Sequence, residues 1–83
     1  MRFLTLVNLA SEKTQQAIEQ IKKVSTPSEG KIVNTFFLMG RYDIAILFDA
    51  PDEKAVSDWV TAKVRAIPGV TATETFLARD LQP

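Results

Sequence analysis

Three kinds of side chain in this sequence have chemistry open to them and stand in or beside extended segments. They are the acids Asp43, Asp49 and Glu74, the phenol of Tyr42, and the hydroxyl row Thr71, Thr73 and Thr75. A carboxylate beside a turn can accept backbone amides or engage a ligand amine, and a row of hydroxyls offers donors and acceptors to a small polar ligand. Asp49 closes a strand where water reaches it. Asp43 directly follows Gly40-Arg41-Tyr42 and either steadies that turn or binds a ligand. Glu74 stands between Ala72 and Phe76 on one strand face. It either borders a polar pocket or pairs with a base such as Arg41 or Arg79, because burying a lone carboxylate is costly. Threonine is also a good strand former in its own right. Trp59 and the adjacent Phe36 and Phe37 read as core or interface.

The absent residue types exclude more than the present ones suggest. The chain has no His and no Cys, so Ser-His and Cys-His nucleophile systems are excluded and no zinc, haem or blue-copper ligand set can be assembled. No catalytic residue, metal or cofactor is expected. Gly30, Gly40 and Gly69 are isolated, so no glycine-rich phosphate loop is present. Ten Lys and Arg balance ten Asp and Glu without a basic stripe, which gives no footprint for direct nucleic-acid contact. No apolar run approaches a membrane span. The segment Arg2–Ala10 has the length of a signal-peptide core, but it contains Thr and Asn and its removal would delete a strand. A cytoplasmic location is expected.

The elements that must position these residues follow from periodicity. A strand is predicted at about 2–9. Ser11 is placed to cap a helix over 12–24, whose Thr14, Ala17, Ile18, Ile21 and Val24 fall on one face. Ser25-Thr26-Pro27-Ser28-Glu29-Gly30 breaks the helix. A hairpin is predicted over 31–39 and 42–49 with a two-residue turn led by Gly40. Simple alternation then puts Ile32, Phe36 and Leu38 on one face and Val33, Phe37 and Met39 on the other. Asp52 caps a second helix, whose buried stripe is Val56, Trp59, Val60, Val64 and Ile67. Pro68-Gly69 ends it, and a last strand runs from Val70 to about Arg79.

The order βαββαβ predicts an α+β, ferredoxin-like sandwich: one domain over residues 1–83, with a four-stranded sheet and both helices on one face. Strands apolar on both faces leave the bare face in need of a partner, and a symmetric dimer packing sheet to sheet is the economical answer.

Three motifs in sequence carry a family resemblance: Gly40-x-Tyr42-Asp43, Ile67-Pro68-Gly69-Val70 and Thr73-Glu74-Thr75. Together they resemble the effector-binding domain of the leucine-responsive/asparagine-regulator (Lrp/AsnC) transcription factors, over about residues 38–78. Gly40-Arg41-Tyr42-Asp43 with Phe48-Asp49-Ala50-Pro51-Asp52 is also similar to the small domains named for their Gly-Tyr-Asp (GYD) motif. The regulator resemblance implies a homodimer closed into an α/β barrel, dimers assembled into rings, and a small-molecule effector, usually an amino acid, held between dimers. Carried over by position, it nominates Gly40, Arg41, Tyr42, Asp43, Thr73 and Thr75 as ligand-binding residues. Asp43 would engage an ammonium group and Arg41 a carboxylate. The regulators carry an N-terminal helix-turn-helix domain, whereas this chain opens on its first strand. The expectation is therefore a sensing and assembly module that modulates transcription regulators without binding DNA itself. The alternative is a cofactor-free barrel enzyme of the monooxygenase or isomerase type, with Glu74, Asp43 or Tyr42 as its acid–base group.

Overall fold

The computed structural model describes residues 1–81. Strand β1 spans Arg2–Leu9, helix α1 Thr14–Lys22, β2 Lys31–Phe37, β3 Ile44–Asp49, α2 Glu53–Trp59 and β4 Val70–Ala78. The sheet order is β2-β3-β1-β4 and every neighbouring pair is antiparallel. This is the ferredoxin-like α+β arrangement that the order of elements predicts.

Residues directly opposite in a ladder share a face, so the register sorts the sheet. Phe3, Thr5 and Val7 of β1 lie opposite Phe48, Ile46 and Ile44 of β3, and all six are at most 3% exposed. The helices cover this face with Ala17, Ile18 and Ile21 from α1 and Val56, Trp59, Val60 and Val64 from α2 and its continuation. Phe48 lies between Phe3, at 5.8 Å, and Trp59, at 4.7 Å, ring centre to ring centre. The Trp59 indole donates to the Ser25 carbonyl at 2.6 Å, which ties the 25–30 loop to the core. Both predicted helical stripes are therefore the buried ones. The other sheet face carries Leu4, Leu6, Ala45, Leu47, Phe36 and Phe76, with Phe36 and Phe76 each more than 40% exposed.

The structure departs from the sequence reading in four places. Ser11 caps nothing: a 3₁₀ turn over Ser11–Lys13 precedes α1, and the Ser11 hydroxyl meets the Glu12 carboxylate instead. The reason lies in the strand exit. The Ala10 amide is bonded to Gly69 O at 2.7 Å and its carbonyl accepts from Lys13 N and Thr14 Oγ1, so the chain turns tightly before the α-helix begins. Second, the hairpin connection is the six residues 38–43, closed by Leu38 N donating to Asp43 O. It is no two-residue turn, because the Asp43 amide is drawn to Val7 O on β1. Third, a bulge between Ile32 and Asn34 breaks the alternation of β2. Ile32, Thr35 and Phe37 consequently share the helix side, while Phe36 joins the open face. Fourth, α2 widens into a π-helical turn over Val60–Val64, in which Arg65 N donates to Val60 O. The cap at Asp52 is as expected, its Oδ1 accepting from Ala55 N at 2.8 Å.

Candidate functional site

The 38–43 loop is fixed by two of its own side chains. Asp43 Oδ2 accepts from the backbone amide of Leu9 at 2.8 Å, while the Asp43 amide donates to Val7 O at 3.0 Å. One residue thus clamps the hairpin to the end of β1. Tyr42 reaches across β1 and donates its phenolic hydrogen to Glu74 on β4. Glu74 lies opposite Leu6, which lies opposite Ala45, so this contact is made on the open face. The hydrogen bond to Glu74 is the main reason that the Tyr42 pKa is raised above its ordinary value. Burial and the negative charge of Glu74 raise it further, and Arg41 opposes them. The Glu74 carboxylate is thereby partnered by a phenol and not by Arg41 or Arg79.

Gly40 sits at φ +153°, a region that L side chains rarely adopt, and a Cβ there would meet nothing within 4 Å. The glycine therefore serves the path of the chain and leaves open space above it. Arg41 is exposed and holds no ion pair among the described residues. Met39, Gly40 and Arg41 are the accessible part of the loop, and Tyr42 and Asp43 are its anchors.

The two nominated threonines stand elsewhere. Thr73 and Thr75 lie opposite Val7 and Thr5, on the helix side of β4, so alternation along the strand separates them from Glu74. Thr75 Oγ1 shares a 2.8 Å hydrogen bond with the fully buried Thr5 Oγ1. Thr71 sits at a bulge and donates to Asn8 O. Thr73 and Thr75 line a cavity of about 350 Å³ between β4 and α2. The structure thus gathers Gly40, Arg41, Tyr42 and Asp43 with Glu74 at one end of the open face, and sets Thr73 and Thr75 on the other side of the sheet.

That cavity also exposes residues that motif reading passed over. Glu53, Ser57, Thr61 and Arg65 border it from the helix. Their spacing of four is visible in the sequence as a polar stripe, but nothing in it distinguishes a groove wall from a solvated helix face. Among the described residues no group of His, Cys, Asp or Glu could hold a metal ion, and no helix is long and apolar enough to cross a membrane.

Neither a family model nor a curated protein sequence matches the chain. Solved structures do. TTHA0845 from Thermus thermophilus superposes with a TM-score of 0.79 at 24% identity, over 99% of this chain and 96% of that one. The transcriptional regulator NMB0573 of Neisseria meningitidis, solved as a complex with L-Met, gives 0.78 at 15% identity over 99% of this chain. AsnC of E. coli gives 0.75 at 17% identity, again over 99%. The present chain corresponds to 51% of NMB0573 and 56% of AsnC. At these identities the likeness establishes the fold, and it places structures of the expected regulator family among those that share it.

Proposed function

We propose that this chain is a ligand-sensing and assembly domain that binds a small effector of the amino-acid class at the 38–43 loop and modulates transcription regulators. The observation that carries the reading is the loop itself. Asp43 and Tyr42 hold it rigidly to β1 and β4, while Gly40 and Arg41 stay open to a ligand. Preorganised backbone with a free guanidinium beside it suits a carboxylate. The fold shared with a regulator solved as an L-Met complex supports the same reading. Within one chain, Thr73 and Thr75 lie on the other side of the sheet from this loop.

The open face supplies the assembly half of the proposal. Leu4, Leu6, Leu47, Phe36 and Phe76 form an apolar patch with Arg2 and Asp49 paired at its margin. Two copies packing these faces about a two-fold axis would bury the same patch twice and close an α/β barrel, and dimers meeting at their loops would form the ring.

The test is a thermal-shift screen against the twenty amino acids, with Arg41→Ala beside the parent protein and light scattering on both. A ligand at about 100 times its dissociation constant stabilises by about 2.7 kcal/mol, a shift of roughly 10 °C or more in a domain of this size. A shift for one or a few amino acids that Arg41→Ala abolishes, on a particle of twice the chain mass or an even multiple of it, is the expected result. No shift with any of them would end the amino-acid reading. A monomer at tens of micromolar would end the assembly reading.

A further inference from the structure

The cavity between α2 and β4 has features that suit a different kind of ligand from the loop site. It lies along a free strand edge: β4 is outermost in the sheet and pairs only with β1. Half of its backbone amides and carbonyls therefore point away from the sheet with no partner strand. The groove is lined by Leu77, on the helix side of β4, and also by Phe76, on the opposite face. A cavity touched by both faces of one strand reaches around that strand's edge. Leu77 is 42% exposed although it lies opposite the buried Phe3, so α2 leaves this corner of the sheet uncovered.

The walls are graded in charge. Glu53, at the start of α2, and Arg65, just past the π-helical turn, both border the groove, with the hydroxyls of Ser57 and Thr61 between them. Neither Glu53 nor Arg65 holds an ion pair among the described residues. Twelve helical residues separate their backbones by roughly 18 Å, and long side chains reaching inward from both ends shorten that span. An extended peptide of about three residues, at roughly 3.4 Å per residue, covers what is left. The charges of a free α-amino acid lie too close together to meet both ends.

Polarity gives a third, independent constraint. Strands β3 and β4 are both antiparallel to β1 and so run the same way. Helix α2 connects the end of β3 to the start of β4 and must run back between them, which puts Glu53 toward the Leu77 end of β4 and Arg65 toward the Thr73 end. A chain with its ammonium group at Glu53 and its carboxylate at Arg65 runs from Leu77 toward Thr73, which is antiparallel to β4. Every other pair in this sheet is antiparallel, and antiparallel pairing is the more stable form per residue. Charge placement and backbone geometry therefore select the same orientation.

We propose that the α2–β4 groove binds a short peptide with free termini, laid antiparallel along β4 as a fifth strand, with its ammonium group at Glu53 and its carboxylate at Arg65. The β4 backbone supplies the sequence-independent hydrogen bonds of strand addition. Phe3, Val56 and Leu77 form the apolar floor for one or two small side chains, and Thr73 and Thr75 flank it.

Trialanine is the probe, titrated at millimolar concentration into isotope-labelled protein while backbone amide shifts are followed. N-acetyl-trialanine, trialanine amide and free alanine serve as controls. Saturable shifts in residues 72–78 and 53–65 are expected for trialanine and not for alanine. Removing either terminal charge of the peptide should weaken binding roughly three- to fivefold, as loss of an exposed ion pair does. Glu53→Gln should weaken trialanine by the same factor and leave N-acetyl-trialanine unchanged, and Arg65→Gln should do likewise with the amide. Both positions are exposed, and an unchanged Trp59 fluorescence confirms the fold of each variant. Absence of saturable shifts in β4 overturns the proposal, as does equal binding of the capped peptides. Concentration-dependent shifts without peptide that are confined to the outward-pointing amides of β4, and absent from Leu4, Leu6 and Leu47 of the open face, would show a second copy on that edge and overturn it too. Shifts confined to residues 38–43 would locate the peptide at the loop, which overturns the groove while leaving the effector reading intact.

Discussion

Tyr42 and Glu74 are joined across an intervening strand: the phenol of a loop residue donates to a carboxylate on the edge strand β4, over the top of β1. The contact couples the candidate effector loop to β4, so whatever displaces the loop must either break this bond or carry β4 with it.

The first prediction reads this bond directly. Tyr42 is the only tyrosine, so phenolate absorbance reports it alone. Hydrogen bonding to Glu74, then burial, then the negative charge of Glu74 place its midpoint above 10.0, with Arg41 opposing. Because the folded value is raised, the stabilisation it reflects is fully present below about pH 10 and is lost as pH rises through the folded midpoint. Glu74→Gln should return the midpoint toward its ordinary value, and Arg41→Ala should move it higher. A native midpoint at or below about 10, the ordinary tyrosine value, would show that the bond does not persist in solution.

Asp43 is expected to be structural before it is anything else. Asp43→Ala removes the acceptor of the Leu9 amide, and an orphaned, partly buried donor costs about 1–3 kcal/mol. In a domain of this size that lowers Tm by roughly 4–8 °C for each kcal/mol. Asp43→Asn keeps an acceptor oxygen and should recover most of the loss in a urea titration. Equal losses in the two variants would show that charge, and not the hydrogen bond, holds the loop. Arg41 is consequently the cleaner position for a binding test.

The margin of the open face should be acid-sensitive. Arg2 contacts both Asp49 oxygens, at 2.9 and 3.2 Å, and the guanidinium hydrogen bond is the largest of the causes that hold the Asp49 carboxyl below its ordinary value. A depressed carboxylate stabilises the fold fully above its unfolded value of about 4, and this contribution is lost as pH falls through the folded value. Both side chains reach solvent, so the effect is small. Stability measured as a function of pH should therefore fall below about pH 4 in the parent protein and fall less steeply in Arg2→Ala. Parallel curves would show that the pair contributes nothing.

The architecture was legible because its signals are periodic and redundant. The stripes Ala17-Ile18-Ile21 and Val56-Trp59-Val60-Val64 mark buried helix faces whatever the details of their ends, and Asp52 is a cap in sequence and in structure. Two of the misplacements share a cause: a local pattern is overruled by a contact distant in sequence. Ser11 has the right chemistry for a cap, but the bond from Ala10 to Gly69 sets the turn. Gly40-Arg41 looks like a two-residue hairpin, but Asp43 is bonded to β1 and stretches the connection. A single bulged residue at Val33 puts Ile32 and Phe36 on opposite faces, which no alternation count can foresee. The candidate site was legible only in its residue types. Tyr42 and Glu74 were each singled out in the sequence, but their pairing depends on β1 lying between β3 and β4. The groove of Glu53 and Arg65 depends on how far α2 leaves β4 uncovered.

The Pro68-Gly69 pair looks like a simple helix stop, yet the structure gives Gly69 two further duties, and these lead to the last prediction. Its φ of +101° is unfavourable for any residue with a side chain. Its carbonyl accepts the Ala10 amide at 2.7 Å, bringing the start of α1 against the start of β4. A Cβ at this position would stand 3.0 Å from Lys13 Cβ and 3.4 Å from Ala17 Cβ, and Ala17 is fully buried. Backbone strain of this kind costs on the order of 1–3 kcal/mol before any repacking. Gly69→Ala should therefore destabilise the fold by at least that amount. Gly40→Ala also meets an unfavourable φ, of +153°, but has open space around it and should cost less. A urea titration of the two variants side by side decides the matter: equal losses would mean that φ alone sets the cost, whereas a larger loss at Gly69 measures how tightly α1 is seated on the sheet.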